Sequence, residues 1–204
     1  MYISDEFKVQ WWLPPRTASR MTAEILRKLN FEVYGNHHLF NENPSVDSKI
    51  ILNVRNPYSI IVSRYKQFYK KNISTSYTYE WGNFNDFIKT FIRWFNEHRN
   101  YGFYNYPEIF NKSNTKPYFR VRYEHFIDDL LSVDVINNNK HLIQDELEKL
   151  NLGKLTWSEN SLLDTSIPYH QHYNQESADL VYDLFENIFI FDGYERDSWK
   201  TITI

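Results

Sequence analysis

Two short segments carry residue types suited to holding anionic groups. The first is Trp12-Leu13-Pro14-Pro15-Arg16-Thr17-Ala18-Ser19-Arg20-Met21. An apolar start, paired prolines and a following amphipathic stretch predict a strand, a tight turn and a helix. The turn holds a cation, two hydroxyls and a small residue. A helix N-terminus adds free backbone N–H groups and the positive end of the macrodipole, which together bind phosphate or sulfate. The second segment is Asn53-Val54-Arg55-Asn56-Pro57, with Ser63 eight residues after Arg55. Arginine suits bidentate phosphate recognition. Ser63 falls about two turns into a helix that starts near Pro57, which brings it back toward the strand end. Two anion sites on one sheet match a nucleotide phosphorylated on both its 5′ and 3′ positions.

The ordered set of segments resembles sulfotransferases that use 3′-phosphoadenosine 5′-phosphosulfate (PAPS). Pro15-Arg16-Thr17-Ala18-Ser19 fits that family's first motif, and Arg20 departs where a second hydroxyl is usual. Arg55-Asn56-Pro57 with Ser63 fits its second motif. Val121-Arg122-Tyr123-Glu124-His125-Phe126 is a weaker third match. Tyr173 through Tyr194 is similar to the late helix and closing Phe-x-Gly-Tyr of several such enzymes. The resemblance implies that residues 16–21 (Arg16, Thr17, Ala18, Ser19, Arg20 and Met21) hold the 5′-phosphosulfate, and that Arg55 and Ser63 hold the 3′-phosphate. It also implies that Arg16 stabilises charge on the bridging oxygen as the sulfuryl group leaves. Such a transfer is loose and in-line, catalysed by positioning and charge stabilisation. No metal is required. Rival readings are a nucleotide-kinase-like phosphoryl-transfer enzyme and a non-catalytic nucleotide-binding protein of the same fold. A Walker G-x-x-x-x-G-K-[ST] sequence, which the first of these would need, is absent.

A hydroxyl acceptor needs a general base, and a neutral imidazole titrates near the working pH. His37 and His38 follow the second expected strand, so they should emerge at the sheet edge that carries the phosphosulfate turn. In resembling enzymes a His of this region is the base; the residues leave open which of the two serves, with Glu42 as the fallback. Tyr169-His170-Gln171-His172 offers a further candidate contact to acceptor or nucleotide. Arg120 and Arg122 alternate with Phe119 and Val121, which puts both cations on one face of a strand. Arg122-Tyr123-Glu124 would hold that strand end by ion pairing. The Tyr- and Lys-rich stretch 68–79 is a candidate acceptor cleft or lid. The acceptor class expected is a carbohydrate or small metabolite.

Composition bounds the rest. The chain has 204 residues, enough for one domain with a sizeable core, expected to span 1–204. A formal net charge of −3 argues against a general nucleic-acid partner. With no cysteine there is no disulfide framework or thiolate metal site. The N-terminus lacks a basic-then-apolar signal pattern, and no apolar run nears the roughly 18 residues that span a bilayer. A cytoplasmic location without membrane association is therefore expected. The oligomeric state is not legible. Aromatic residues make up 18% of the chain, expected as core with a share lining an acceptor cleft.

Strands are expected at 7–13, 31–34, 50–54 and 118–122. Helices are expected at 19–29, 57–70, 85–99, 123–131, 141–150 and 177–189. Residues 102–115 read as irregular. Alternating strands and helices predict an α/β three-layer sandwich. Its small central parallel sheet is flanked by helices, as in P-loop NTPase-like proteins of the sulfotransferase type. Ligands on such sheets bind at the carboxyl ends of the strands, where both anion motifs sit.

Overall fold

A computed structural model describes residues 1–34, 47–71, 83–97, 106–151 and 168–200. The chain forms two compact units, one from residues 1–55 and 102–157, the other from residues 56–101 and 158–204. No helix among the described residues is long and apolar enough to cross a membrane.

The first unit is built on a five-stranded sheet of order β3-β1-β2-β4-β5. Its strands are β1 (Tyr2–Ser4), β2 (Val9–Trp12), β3 (Glu32–Val33), β4 (Lys49–Val54) and β5 (Phe119–Arg122). β2, β4 and β5 run parallel. β1 runs antiparallel to both β2 and β3. The sheet is thus mixed, which corrects the expectation of a parallel one. The reason is local. Residues 5–8 turn the chain back between paired Ser4 and Val9, with the Lys8 N–H on the Asp5 carbonyl at 3.3 Å and Lys8 at φ 52°. A strand was expected from residue 7, but the turn delays it to Val9 and allows a hairpin, which only antiparallel strands can close so tightly. β3, antiparallel to β1, consequently points the same way as β2.

The pleat divides these strands cleanly. Tyr2, Val9, Trp11, Ile51 and Val121 face one layer and join a core with Ile25 and Leu26 of α1 (Ser19–Lys28). Phe126 and Leu130 of α5 (Phe126–Leu131), Val135 and Ile136 of α6 (Asp134–Asn138) and Leu147 of α7 (Gln144–Asn151) complete it. Each such side chain withdrawn from water stabilises by about 1.5–3 kcal/mol. α1 ends in a Schellman-type turn: Asn30 takes φ 57°, and the Phe31 N–H reaches the Leu26 carbonyl at 2.9 Å. On the opposite sheet face Trp12 packs on Phe110 of α4 (Tyr106–Lys112), ring centroids 4.8 Å apart. That helix forms where irregular chain was expected.

The second unit contains α2 (Pro57–Lys71), α3 (Phe84–Glu97) and α8 (Gln175–Asp192). Its interior is largely aromatic. The Tyr58 ring lies 5.1 Å from Tyr173 and 4.9 Å from Phe189; Tyr65 lies 5.1 Å from Phe84. The Tyr58 hydroxyl donates to the Arg196 carbonyl (2.6 Å) and the Tyr173 hydroxyl to the Tyr58 carbonyl (2.9 Å). Burial raises the pKa of both phenols, so both remain donors at neutral pH. α8 starts in a reciprocal Asn174–Ser177 capping box and stops at Gly193, whose φ of 77° suits glycine.

The end of β5 is clamped by a carboxylate from α5. Asp129 accepts from the Arg122 backbone N–H (2.9 Å), Nε (2.8 Å) and Nη2 (2.7 Å). Burial pushes the Asp129 carboxyl up, but the hydrogen bonds and charge of Arg122 outweigh it, with a smaller contribution from His125, and leave the group below its ordinary value. A depressed carboxyl pKa contributes stability that is present above the unfolded value, near 3.9, and is lost as pH falls through the folded value. Because the Arg122 side chain is 52% exposed, solvent screens the pair. Asp129→Asn is expected to lower stability at pH 7 by about 1–2 kcal/mol, and to lack the loss the wild type shows below about pH 4. Urea unfolding of both proteins across that range checks this; equal stabilities at pH 7 would contradict it.

Candidate functional site

The first anion motif and Arg55 of the second lie at the carboxyl ends of adjacent parallel strands in the first unit. β2 ends at Trp12 and β4 at Val54; the register pairs Trp12 with Leu52. Residues 13–18 form the turn between β2 and α1. It contains no glycine, yet Arg16 sits at φ 71° and Ala18 at φ 60°. Left-handed backbone costs a non-glycine residue roughly 1–2 kcal/mol. Two such residues in three indicate a conformation imposed by its surroundings.

The surroundings that impose it centre on Asn53, fully buried in β4. Its Nδ2 donates to the Thr17 carbonyl (2.8 Å) and to Thr22 Oγ1 (2.7 Å). Its Oδ1 accepts from Trp11 Nε1 (2.8 Å). One amide therefore joins β2, the turn, α1 and β4, with its two N–H donors and its oxygen all engaged. Thr22 Oγ1 in turn donates to the Ala18 carbonyl at 3.2 Å. Arg55 Nη1 donates to the Arg16 carbonyl at 3.0 Å. Both strained residues thus have their carbonyls fixed.

The N-terminus of α1 is kept electropositive. Ala18 is its N-cap, no side chain caps the helix, and its first turn contains no acidic residue. Arg20 adds a cation there. α2 is different: Asn56 Oδ1 accepts from the Tyr58 N–H at 3.0 Å, and Pro57 occupies the first helical position.

The expected site residues fall into three groups. Arg16 is half-buried, Ser19 buried and Arg20 exposed, all at or beside the α1 N-terminus. Thr17 is 2% exposed, and its hydroxyl donates to the Pro14 carbonyl at 2.6 Å. Its proton therefore shapes the turn rather than pointing outward. Ala18 and Met21 pack against the apolar core. Arg55 lies in the first unit, with its guanidinium 3.6 Å from the centre of the Tyr123 ring. Ser63 is half-buried on α2 in the second unit. His37, His38 and Glu42 lie outside the described residues, as does 72–79 of the Tyr- and Lys-rich stretch.

Asn53 was not singled out by sequence reasoning. Its only signal was a polar residue inside the apolar run Ile50-Ile51-Leu52-Asn53-Val54. Tyr169–His172 forms a 3₁₀ turn in the second unit. There the His172 ring lies 5.4 Å from Phe84 and 6.2 Å from Tyr65. Burial, with the charge of Lys66 adding to it, lowers the His172 pKa, which favours the neutral ring. Among the described residues no group of three or more His, Asp or Glu is arranged to hold a metal ion.

Asn53→Leu removes three buried hydrogen bonds and takes their Asn53 partner from the Trp11 N–H and the Thr17 carbonyl. It is expected to destabilise by about 3–5 kcal/mol. Ile51→Val, two residues away in the same strand, should cost only about 1 kcal/mol. Chemical denaturation of the two variants checks this, and similar losses for both would contradict the assigned role of Asn53.

Comparison with known proteins gives no family model that matches the chain, no curated protein that matches it and no solved structure that matches it.

Proposed function

We propose that the chain is a PAPS-dependent sulfotransferase with a P-loop-like three-layer α/β fold. Its acceptor would be a hydroxyl of a carbohydrate or small metabolite. The observation that carries this is the contact between the two motifs. Arg55 of the second donates to the carbonyl of Arg16 in the first, at 3.0 Å, from the ends of neighbouring parallel strands. Strand ends of this type are where ligands bind on α/β sheets. Two segments that each suit an anion are joined there, beside a helix N-terminus with no capping side chain and no acidic residue in its first turn.

In this reading the backbone N–H groups of residues 17–20 and the Ser19 hydroxyl cradle the 5′-phosphosulfate, with Thr17, Ala18 and Met21 shaping the turn. Arg55 of the first unit binds the 3′-phosphate. The acceptor oxygen attacks sulfur in line as the bond from sulfur to the bridging oxygen breaks. 3′-Phosphoadenosine 5′-phosphate (PAP) leaves with that electron pair, and Arg16 and the helix N-terminus stabilise the charge. One of His37 and His38 takes the acceptor proton.

Calorimetric titration with PAP, ATP and AMP, with and without magnesium, tests the nucleotide. Magnesium-independent binding of PAP, weakened about tenfold to a hundredfold in Arg55→Ala, is expected from the loss of a charged phosphate contact. No binding of PAP, or a preference for magnesium-ATP, would overturn the proposal in favour of phosphoryl transfer or a different role.

A further inference from the structure

The ladder between β4 and β5 places a second group beside Arg55. Val54 pairs with Arg122, so the next residues, Arg55 and Tyr123, leave neighbouring strand ends together. The Arg55 guanidinium carbon stands 3.6 Å from the Tyr123 ring centre. Tyr123 is 41% exposed, too open to be a core residue. Its backbone is held in place from behind: the preceding residue, Arg122, is fixed to Asp129 through backbone N–H, Nε and Nη2.

A planar guanidinium on a long side chain needs two kinds of contact to be aimed. Stacking on a ring fixes its plane. A hydrogen bond from one edge fixes its rotation within that plane. Arg55 has both: the Tyr123 face and the Arg16 carbonyl at 3.0 Å. The directions of its other N–H groups follow from those two contacts. Restraint of this kind removes rotamer freedom that ligand binding would otherwise have to remove.

We propose that Tyr123 is a positioning residue that acts through Arg55, and that selection of a 3′-phosphorylated nucleotide over one with a free 3′-hydroxyl depends on it. This rests on the reading that the two joined motifs bind PAP. Tyr123 supplies a ring face, so the phenol oxygen is dispensable and the π-system is not.

The test is calorimetric titration of the full chain with PAP and with AMP, which lacks the 3′-phosphate. Wild type is compared with Tyr123→Phe, Tyr123→Leu and Tyr123→Ala, each checked for its thermal midpoint. Tyr123→Leu keeps apolar bulk in case Tyr123→Ala fails to fold. PAP affinity is expected to fall about tenfold in the Leu and Ala variants. AMP affinity should be unchanged, and Tyr123→Phe should match wild type. A loss of stability alone would not move the PAP-to-AMP ratio. An unchanged ratio in the Leu and Ala variants would overturn the proposal. So would an equal loss for both nucleotides, which would mean that Tyr123 contacts the shared adenosine 5′-phosphate. A wild type that fails to distinguish PAP from AMP would remove the nucleotide reading, and the proposal with it, before any substitution is compared.

Discussion

The side-chain amide of Asn53 is the constraint on which the candidate site depends. A turn with arginine and alanine at left-handed positions is unfavourable by itself, because each Cβ crowds its own backbone. Three hydrogen bonds inside the sheet, made by a group with 0% exposure, tie that turn to β2, α1 and β4 at once. In a water-excluded setting these bonds are costly to leave unmade, so the turn has few alternatives. Arg55 adds the outermost tie, and it is a cation supplied by the other anion motif. The interaction that shapes the turn therefore also joins the two motifs.

Electrostatics follow from that geometry. A helix N-terminus with no capping side chain and no acidic residue in its first turn keeps its positive potential for an external anion. Where the chain needs only a helix start, at α2, it caps it internally with Asn56. The two strand-to-helix junctions use similar residues for different ends. In the second motif the cation and the cap are adjacent residues, and the structure gives them separate tasks.

Much of the first unit was legible in the sequence. The apolar run at 50–54 marks a strand buried in the parallel ladder, and Pro14-Pro15 and Pro57 mark where strand gives way to helix. Arg122 was expected to hold its strand end by ion pairing, and it does so with Asp129. β1 was missed because a strand of three residues carries too little pattern to register. Its presence makes the sheet mixed. Asn53 was missed because a buried polar residue is recognisable only from its partners, which lie 31 to 42 positions away in the chain. The Thr17 hydroxyl was expected to face a ligand, yet it turns back to the Pro14 carbonyl, a bond set by the local path of the prolines. The aromatic richness is resolved in the second unit, where tyrosines and phenylalanines of α2, α3 and α8 pack ring against ring.

The central claim is that residues 16–20 form an anion site held open by Asn53. An amide-resolved NMR titration of isotope-labelled protein with PAP addresses it most directly. If the claim is right, the backbone amides of residues 17–20 and the Asn53 side-chain amide shift together and saturably, at one common PAP concentration. If those amides stay still while others respond, or if nothing responds, the turn is not the nucleotide site.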